Sequence, residues 1–493
     1  MAAPRRISRR RAASPRPDLA SLLRRHCVRS SSGRRFLPYG ALRRLVCEES
    51  VRVELSKHPQ LRGADLNDLT RRICGGSNCR VFALLVLVGL VPAVAQVLHP
   101  VTGISDSDLP LRRLKSRRGH VLRRRAGPDS DAPLSCFAGR KQRHLLDFYK
   151  CQWTVAAPVF PAPPARGRPA PHFDFPARTI LPFREDGRDE RRSGSSGEVT
   201  WVTVEPSHHG FSNDFAALKR LRSGSPEEFR REVRLLGVGV HPHLVGLWAT
   251  WKHGPHYYLL FPRARCDLRE YWEENPAPRL SPERMRWASK QILGLAGVLR
   301  EMDGYGAEER SGGDRFAYHG DVKAENVLLF DDAAEPLGRL VLADVGSGGF
   351  SSPSDAPNKY RTTPYLKPPD YDVRGGSDPR SLDRWAFGCF LFDFVIWLLA
   401  GTGAIDDFED ERFSPDPLLG HRVDSQIYFD LREWRGGTAL VIKEAVLNVH
   451  RRRPPSSGPV LLTRRYRSSQ RCTPTRRAPL TCMSCWTSSK PRS

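Results

Sequence analysis

The chain has 493 residues, 39% of them hydrophobic, which is length and apolar material for two or three packed domains and excludes a wholly disordered protein. A net charge of +25, with arginines crowded before Arg143 and after Arg451, gives a general attraction to anions or marks solvated basic tails. The 11 cysteines are odd in number and scattered, which weighs against a secreted disulfide framework and favours a reducing setting, cytoplasmic or nuclear.

Residues 1–35 read as a disordered basic arm. Arg5 to Arg44 is rich in arginine and serine, with Asp18 its only acid, and it lacks a clear apolar run at helical spacing. The same composition suits a mitochondrial presequence. Residues 36–155 read as a helical region, with segments such as Gly40–Ser56 and Asp65–Cys74. Val81 to Leu98 is almost wholly apolar, but Pro92 and Gln96 interrupt it. We expect a buried helix or helix pair there and no membrane span. The basic stretch Arg112–Arg143 reads as a loop, and His144–Thr154 as a short amphipathic element. Residues 156–177 carry Pro161-Ala162-Pro163-Pro164 and read as a semi-rigid, proline-rich linker.

From Thr179 the pattern changes. Val199–Val204 and Phe215–Leu221 suit strands. Ser225-Pro226-Glu227-Glu228 is a helix start: a serine cap, proline at the first position, acids in the first turn. Leu244–Trp251 and Tyr257–Phe261 suit further strands. The chain then turns helical over Asp267–Glu274 and Ser281–Met302. Short strands bracket Phe330–Gly338, and a long helix runs from Ser381 to about Leu399. The fold class expected is α+β: a strand-rich small lobe with one helix, then a helical large lobe.

The most informative stretch is His319-Gly320-Asp321-Val322-Lys323-Ala324-Glu325-Asn326, followed by Asp344-Val345-Gly346. It sets an acid, a cation and an amide at short fixed offsets, then a second acid just past a hairpin. Phosphoryl transfer needs in-line positioning, neutralised phosphate charge and an acceptor for the hydroxyl proton, and these residue types supply all three. The stretch resembles the catalytic and metal-binding loops of eukaryotic protein kinases. The resemblance covers roughly residues 178–455 and implies a bilobal kinase fold, ATP and Mg²⁺ as cofactors, and a protein substrate. It makes Asp321 the base for the substrate hydroxyl and puts Lys323 at the γ-phosphate, a pattern that favours serine or threonine. It makes Asn326 and Asp344 the metal ligands.

Upstream, Ala217-Leu218-Lys219 resembles the strand that offers a lysine to the α- and β-phosphates, with Glu232 on the next helix as its ion-pair partner. By the same resemblance Leu260 closes the back of the adenine pocket, Asp267 faces the ribose, and Val199, Ala217 and Leu328 enclose the adenine. Gly194 and Gly197 supply the last two glycines of a phosphate-covering loop whose first position holds Arg192. Asp383 would anchor the catalytic loop. Leu236, Leu247, Val345 and His319 would form one apolar column.

Several positions depart from the family pattern. Gly320 stands where an arginine usually pairs with an activation-loop phosphate, so activity is expected not to depend on such phosphorylation. Val345 replaces a phenylalanine. Pro368-Pro369-Asp370 replaces Ala-Pro-Glu, leaving Asp370 to pair with Arg453. Residues 456–493 read as a basic low-complexity tail, either divergent or the product of a missed splice; Cys482 and Cys485 lack a second pair at zinc spacing.

Ile180-Leu181-Pro182-Phe183, Tyr257-Tyr258-Leu259-Leu260-Phe261-Pro262 and His-Gly-Asp resemble a group of filamentous-fungal serine/threonine kinases with an N-terminal helical region of unassigned function. Residues 80–89, 104–111 and 148–153 resemble that region. The reading is therefore an ATP- and Mg²⁺-dependent serine/threonine protein kinase. A pseudokinase, nucleotide-binding or scaffolding, is the alternative. Nucleic acid is not expected as the primary partner, because no aromatic-interleaved basic module accompanies the charge.

Overall fold

The structure is a computed structural model describing residues 18–449, except 117–118, 126–131, 166, 186–190, 194–195, 239–240, 306–314, 353–354, 356–362, 374–377, 417–419 and 435–436. Folded chain begins earlier than the composition suggests. Asp18 accepts the backbone N–H of Ser21 at 3.0 Å and caps α1 (Leu19–Arg25), which buries Leu19 and Leu23. A two-stranded hairpin of β1 (Val28–Arg29) and β2 (Arg35–Phe36) follows. Residues 18–35 are thus not a disordered arm. Two leucines four apart carry the apolar face among exposed arginines, a signal too sparse to stand out.

The expected Gly40–Ser56 helix is split into α2 (Tyr39–Leu45) and α3 (Glu48–Ser56). At the break the Ser50 hydroxyl accepts the Cys47 N–H at 3.1 Å, an N-terminal cap inside the apolar run. Asp65 caps α4 (Leu66–Cys74) through Asn67 and Asp68. The apolar run folds as α5 (Cys79–Leu87) and α6 (Val94–Val97), and Val81 to Leu85 are completely buried in the core of this N-terminal region. Among the described residues no helix is long and apolar enough to cross a membrane. The basic stretch read as a loop instead forms the antiparallel hairpin of β3 (Arg112–Ser116) and β4 (Gly119–Arg123), whose Leu122 is buried in the core that α7 (Gln142–Val155) also lines.

The small lobe follows: β5 (His172–Phe175), β6 (Phe183–Glu185), β7 (Arg191–Ser193), β8 (Gly197–Val204), β9 (Phe215–Leu221), α8 (Pro226–Leu236), β10 (Ala249–His253) and β11 (His256–Pro262). Its sheet runs β5-β10-β11-β9-β8-β6, with β7 also on β8. The large lobe contains β12 (Cys266–Asp267), α9 (Leu268–Glu274), α10 (Pro282–Asp303), β13 (Phe316–Tyr318), β14 (Val327–Asp332), β15 (Glu335–Leu342), β16 (Gly349–Ser351), α11 (Asp370–Val373) and α12 (Pro379–Ala400). Beyond it lie α13 (Thr402–Arg412), the hairpins β17 (Ser414–Asp416) with β18 (Gly420–Ser425) and β19 (Phe429–Trp434) with β20 (Gly437–Ile442), and α14 (Glu444–Leu447). This is the α+β, two-lobed architecture expected.

The proline-rich segment is more than a linker. Strand β5 joins the sheet parallel to β10. Phe160 is buried in the small lobe's outer core, 5.9 Å from Phe183 and 5.4 Å from Trp251 between ring centroids. His208, in the loop between β8 and β9, completes the joint. The Tyr39 backbone N–H donates to its Nε2 at 2.9 Å, so the ring proton resides on Nδ1, which donates to the Pro158 carbonyl at 2.7 Å. Phe36 packs edge-on against the same ring, at 5.4 Å. The ring thus needs one donor and one acceptor nitrogen, the neutral state.

Burial, aided by the charge of Arg80, lowers the His208 pKa to about 4. A folded pKa below the unfolded value means that the unfolded chain binds the extra proton first. Stability from this joint is therefore complete above about pH 6.5 and falls as pH drops toward 4, by about 2 kcal/mol at pH 5. Thermal unfolding at pH 7 and pH 5 should show that difference in the native chain. His208→Gln keeps a donor and an acceptor without a titrating proton and should shrink it.

Candidate active site

The loop from His319 to Asn326 is fixed before any ligand is considered. Asp383, buried near the start of α12, accepts the backbone N–H of His319 at 2.6 Å and of Gly320 at 2.8 Å. Burial pushes the Asp383 carboxyl up, against the pull of His319 and of those two bonds. His319 accepts the Asp321 N–H at Nδ1, 3.3 Å, so its Nε2–H donates to the Ala343 carbonyl at 3.0 Å. Asn326 donates its side-chain N–H to the Asp321 carbonyl at 2.7 Å and to Asp321 Oδ2 at 3.0 Å, leaving its amide oxygen for another partner. The hairpin β14–β15 then brings Asp344 back to the same end: Val327 pairs with Leu342, and the Ala343 N–H donates to the Asn326 carbonyl at 2.9 Å.

Asp344 has a left-handed backbone (φ 59°), the only non-glycine so placed among the described residues. From there its Oδ1 accepts Lys219 Nζ at 2.7 Å, while Glu232 Oε1 accepts the same nitrogen at 2.6 Å. The Lys219–Glu232 pair expected from the sequence is therefore formed, and Asp344 shares the amine. Burial would lower the lysine pKa, but the two carboxylates raise it. Burial pushes Asp344 up, but Lys219 outweighs it and brings the carboxyl down to about 2. Glu232, the deeper acid, is raised by burial.

Asp321 has partners of its own. Lys323 Nζ is 3.0 Å from its Oδ2, and the Thr363 hydroxyl donates to its Oδ1 at 2.6 Å. Lys323 Nζ also reaches the Thr363 oxygen at 3.1 Å. Sequence reasoning missed Thr363, which lies 42 residues after Asp321.

Gly194 lies outside the described residues. Gly197 begins β8, and a Cβ there would come within 2.5 Å of the Arg220 carbonyl, so a glycine is needed for this close strand pairing. Ser196, also missed, donates its hydroxyl to Asp344 Oδ1 at 2.9 Å, so the loop bends onto the acid. Val199 lies opposite Lys219, and Ala217 shares its face two residues earlier. Leu328, half-buried on β14, pairs with Asp267 across the large-lobe sheet.

The assignment of Leu260 needs correction. Its strand partner is Leu218, and it is buried in the outer core with Phe160 and Trp251. Leu259 lies opposite Lys219 and Phe261 opposite Ala217, so these two share the face of the lysine. A count in steps of two from Lys219, given the pairing, would have found them. Asp267 is buried as the cap of α9, accepting the Glu270 N–H at 2.9 Å while Glu270 returns a bond to its N–H.

Of the proposed column, Leu236, Val345 and His319 are buried, and Leu247 packs against the core that holds Leu236 and Val345. At Gly320 the backbone is left-handed (φ 81°), and a Cβ would lie 2.7 Å from the Ser347 carbonyl. The missing arginine thus reflects a backbone that has no room for a side chain. Arg453 and residues 456–493 lie outside the described residues, so the Asp370–Arg453 pairing does too.

Comparison with known proteins agrees with the geometry. Residues 193–399 match the protein kinase domain, a shorter span than the 178–455 of the resemblance. Sporulation protein kinase mde3 of Schizosaccharomyces pombe is 23% identical over 210 residues, 41% of this chain and 35% of that protein. Cyclin-dependent kinase 7 of Dictyostelium discoideum is 25% identical over 222 residues, 43% of this chain and 56% of that one. Cyclin-dependent kinase F-3 of Oryza sativa subsp. japonica is 26% identical over 200 residues, 40% and 41%. The chain thus spans from about a third to just over half the length of these relatives. A protein kinase domain implies ATP and a divalent metal ion. The two-lobed fold, the loop held by Asp383 and the match over residues 193–399 together support a protein kinase domain of the eukaryotic superfamily within this chain.

Proposed function

We propose that this chain transfers the terminal phosphoryl group of ATP to serine or threonine hydroxyls of a protein substrate, with Mg²⁺ as its metal. The observation that carries the proposal is the triangle of Asp321, Lys323 and the Thr363 hydroxyl, closed at 2.6 to 3.1 Å. It places a small aliphatic hydroxyl against the carboxylate that would accept a proton, with an ammonium alongside. The donor set for a metal is the Asp344 carboxylate and the Asn326 amide oxygen, hard oxygens that suit Mg²⁺ when phosphates complete its shell. Bound Mg·ATP would supply the phosphoryl group and neutralise part of its charge.

The chain's own residues do the rest. Asp321 orients the substrate hydroxyl and takes its proton. Lys323 offsets charge on the transferred group, and Lys219, held by Glu232, does so at the inner phosphates. Backbone N–H groups of the loop at Ser196 and Gly197 cover the phosphates. Asp267, at the start of α9, takes a ribose hydroxyl. Phe261 closes the back of the adenine pocket. The free thiols among the described residues suit a cytoplasmic or nuclear setting. One observation favours the pseudokinase reading: Ser196 bonds Asp344 directly, which competes with phosphate and metal for the same oxygen.

Transfer of labelled γ-phosphate to an unbiased peptide library separates the readings. The native chain should label serine and threonine peptides and not tyrosine, and chelation of divalent metal should abolish the signal. Asp321→Asn should lower turnover by about 10²–10⁴-fold with nucleotide affinity little changed. Equal labelling by both proteins removes the proposal. Phosphatase treatment should leave activity intact, because Gly320 offers no cation to an activation-loop phosphate. Gly320→Arg should lower the melting temperature and activity together, its left-handed backbone alone costing about 1–2 kcal/mol. Activity that requires a phosphate on Ser351, Ser352 or Thr362 would contradict this account.

A further inference from the structure

The position of α8 decides whether Glu232 reaches Lys219, so the contacts that hold α8 bear on the proposed reaction. One side faces the segment after Asp344. Arg231 donates to the Gly346 carbonyl at 3.4 Å, and the Arg234 guanidinium lies 5.6 Å from the Phe350 ring. Both are long, partly solvated contacts. The other side faces the sheet. Phe229, three residues before Glu232 and on the same helix face, stacks on Tyr257 of β11 at 4.5 Å and meets the His172 ring of β5 at 5.1 Å. The phenyl ring is therefore flanked by a residue of the lobe itself and a residue of the N-terminal connection.

His172 is held where it is. Strand β5 pairs in parallel with β10 in the register Thr250↔His172 and His253↔Phe175. The Thr250 N–H donates to the Pro171 carbonyl at 2.9 Å, and His172 Nδ1 and the Thr250 hydroxyl share a bond of 2.9 Å. Phe173 and Phe175 anchor the strand on Phe160, at 5.9 and 6.3 Å. Phe160 in turn follows Pro158, whose carbonyl is bonded to His208. The chain from the N-terminal region to α8 is thus continuous, one packed or hydrogen-bonded contact at a time.

We propose that strand β5 is a built-in positioning element for α8, with His172 as its contact residue: the ring braces Phe229 and so keeps Glu232 on Lys219 without a phosphate on the activation segment. His172 is a positioning residue, because it touches neither nucleotide nor substrate. The inference rests on the phosphoryl-transfer reading for its effect on turnover, but its structural half does not.

The test uses the full chain. In His172→Ala, amide exchange over residues 226–236 should speed up by roughly tenfold, the effect of losing one ring–ring contact on a helix that stays folded. Turnover should fall by a similar factor, with the KM for ATP changed less than twofold, because α8 must be in place for transfer. His172→Phe, which restores the ring without the Thr250 bond, should recover most of both. His172 is itself substantially exposed, so the melting temperature should move little. Unchanged exchange in His172→Ala, or no recovery in His172→Phe, overturns the inference. No turnover in the native chain, with the exchange result as expected, overturns the phosphoryl-transfer reading instead.

Discussion

One ammonium group shared between two carboxylates organises this molecule. Lys219 Nζ lies 2.6 Å from Glu232 and 2.7 Å from Asp344, in a side-chain environment only 6% exposed for the lysine and for Glu232. A buried cation without partners would give up its proton or unfold the site, so pairing is a condition of the fold. Three separate elements must meet for it: strand β9 for the lysine, α8 for the glutamate, and the turn after β15 for the aspartate. The signs of the pKa shifts show which force prevails at each member. Burial wins at Glu232, and attraction wins at Lys219 and Asp344. Asp344 is the least enclosed of the three and holds the lowest pKa, so it is the member able to accept another cation while staying ionised.

The N-terminal region belongs to the same mechanical unit. A proline-rich segment reads as a spacer because it lacks backbone donors and apolar periodicity. Here its aromatic residues matter more than its prolines. Phe160 fits into a cluster with Phe183 and Trp251, and Phe173 and Phe175 extend that cluster along β5. A parallel edge strand needs bonds from only one side, which suits a short segment between prolines. His208 then ties α2 to the same place with one donor and one acceptor. A module held by a neutral ring and an aromatic cluster cannot swing freely from the small lobe.

What the sequence revealed and what it hid divide along a physical line. Polar residues at short offsets were legible, because the chemistry of phosphate and metal demands them within one loop: Asp321, Lys323 and Asn326 lie within six residues, and Asp344 at the far end of one hairpin. Helix starts with a serine or aspartate cap were legible for the same local reason, as at Ser225 and Ser281. The side of a strand was not. Leu259, Leu260 and Phe261 are alike in composition, and only the pairing with β9 says which of them faces the lysine. Thr363 and Ser196 were hidden because their partners are 42 and 148 residues away. The β3–β4 hairpin was hidden because a basic, polar stretch lacks the alternation that marks a half-buried strand, although Leu122 alone reaches the core.

Gly320 connects these observations. Its left-handed backbone lets the Ser347 carbonyl approach to where a side chain would begin. A charged side chain at that position could not reach the activation segment without displacing the turn that carries Asp344. The loss of the usual arginine is therefore coupled to the geometry of the metal-side acid. With that cation absent, a phosphate on the activation segment has no partner at this position through which to pull α8 inward. The polar and cation–ring contacts on that side, from Arg231 and Arg234, are long and partly solvated, and each is worth only a fraction of a kcal/mol to about 1 kcal/mol, beside the apolar burial of Leu235 and Leu236. On the sheet side Phe229 stacks on Tyr257 and meets the His172 ring of β5, and both partners come from strands already held by sheet pairing. Control over Glu232 thus passes from a loop that could be modified to an edge of the sheet that is always present.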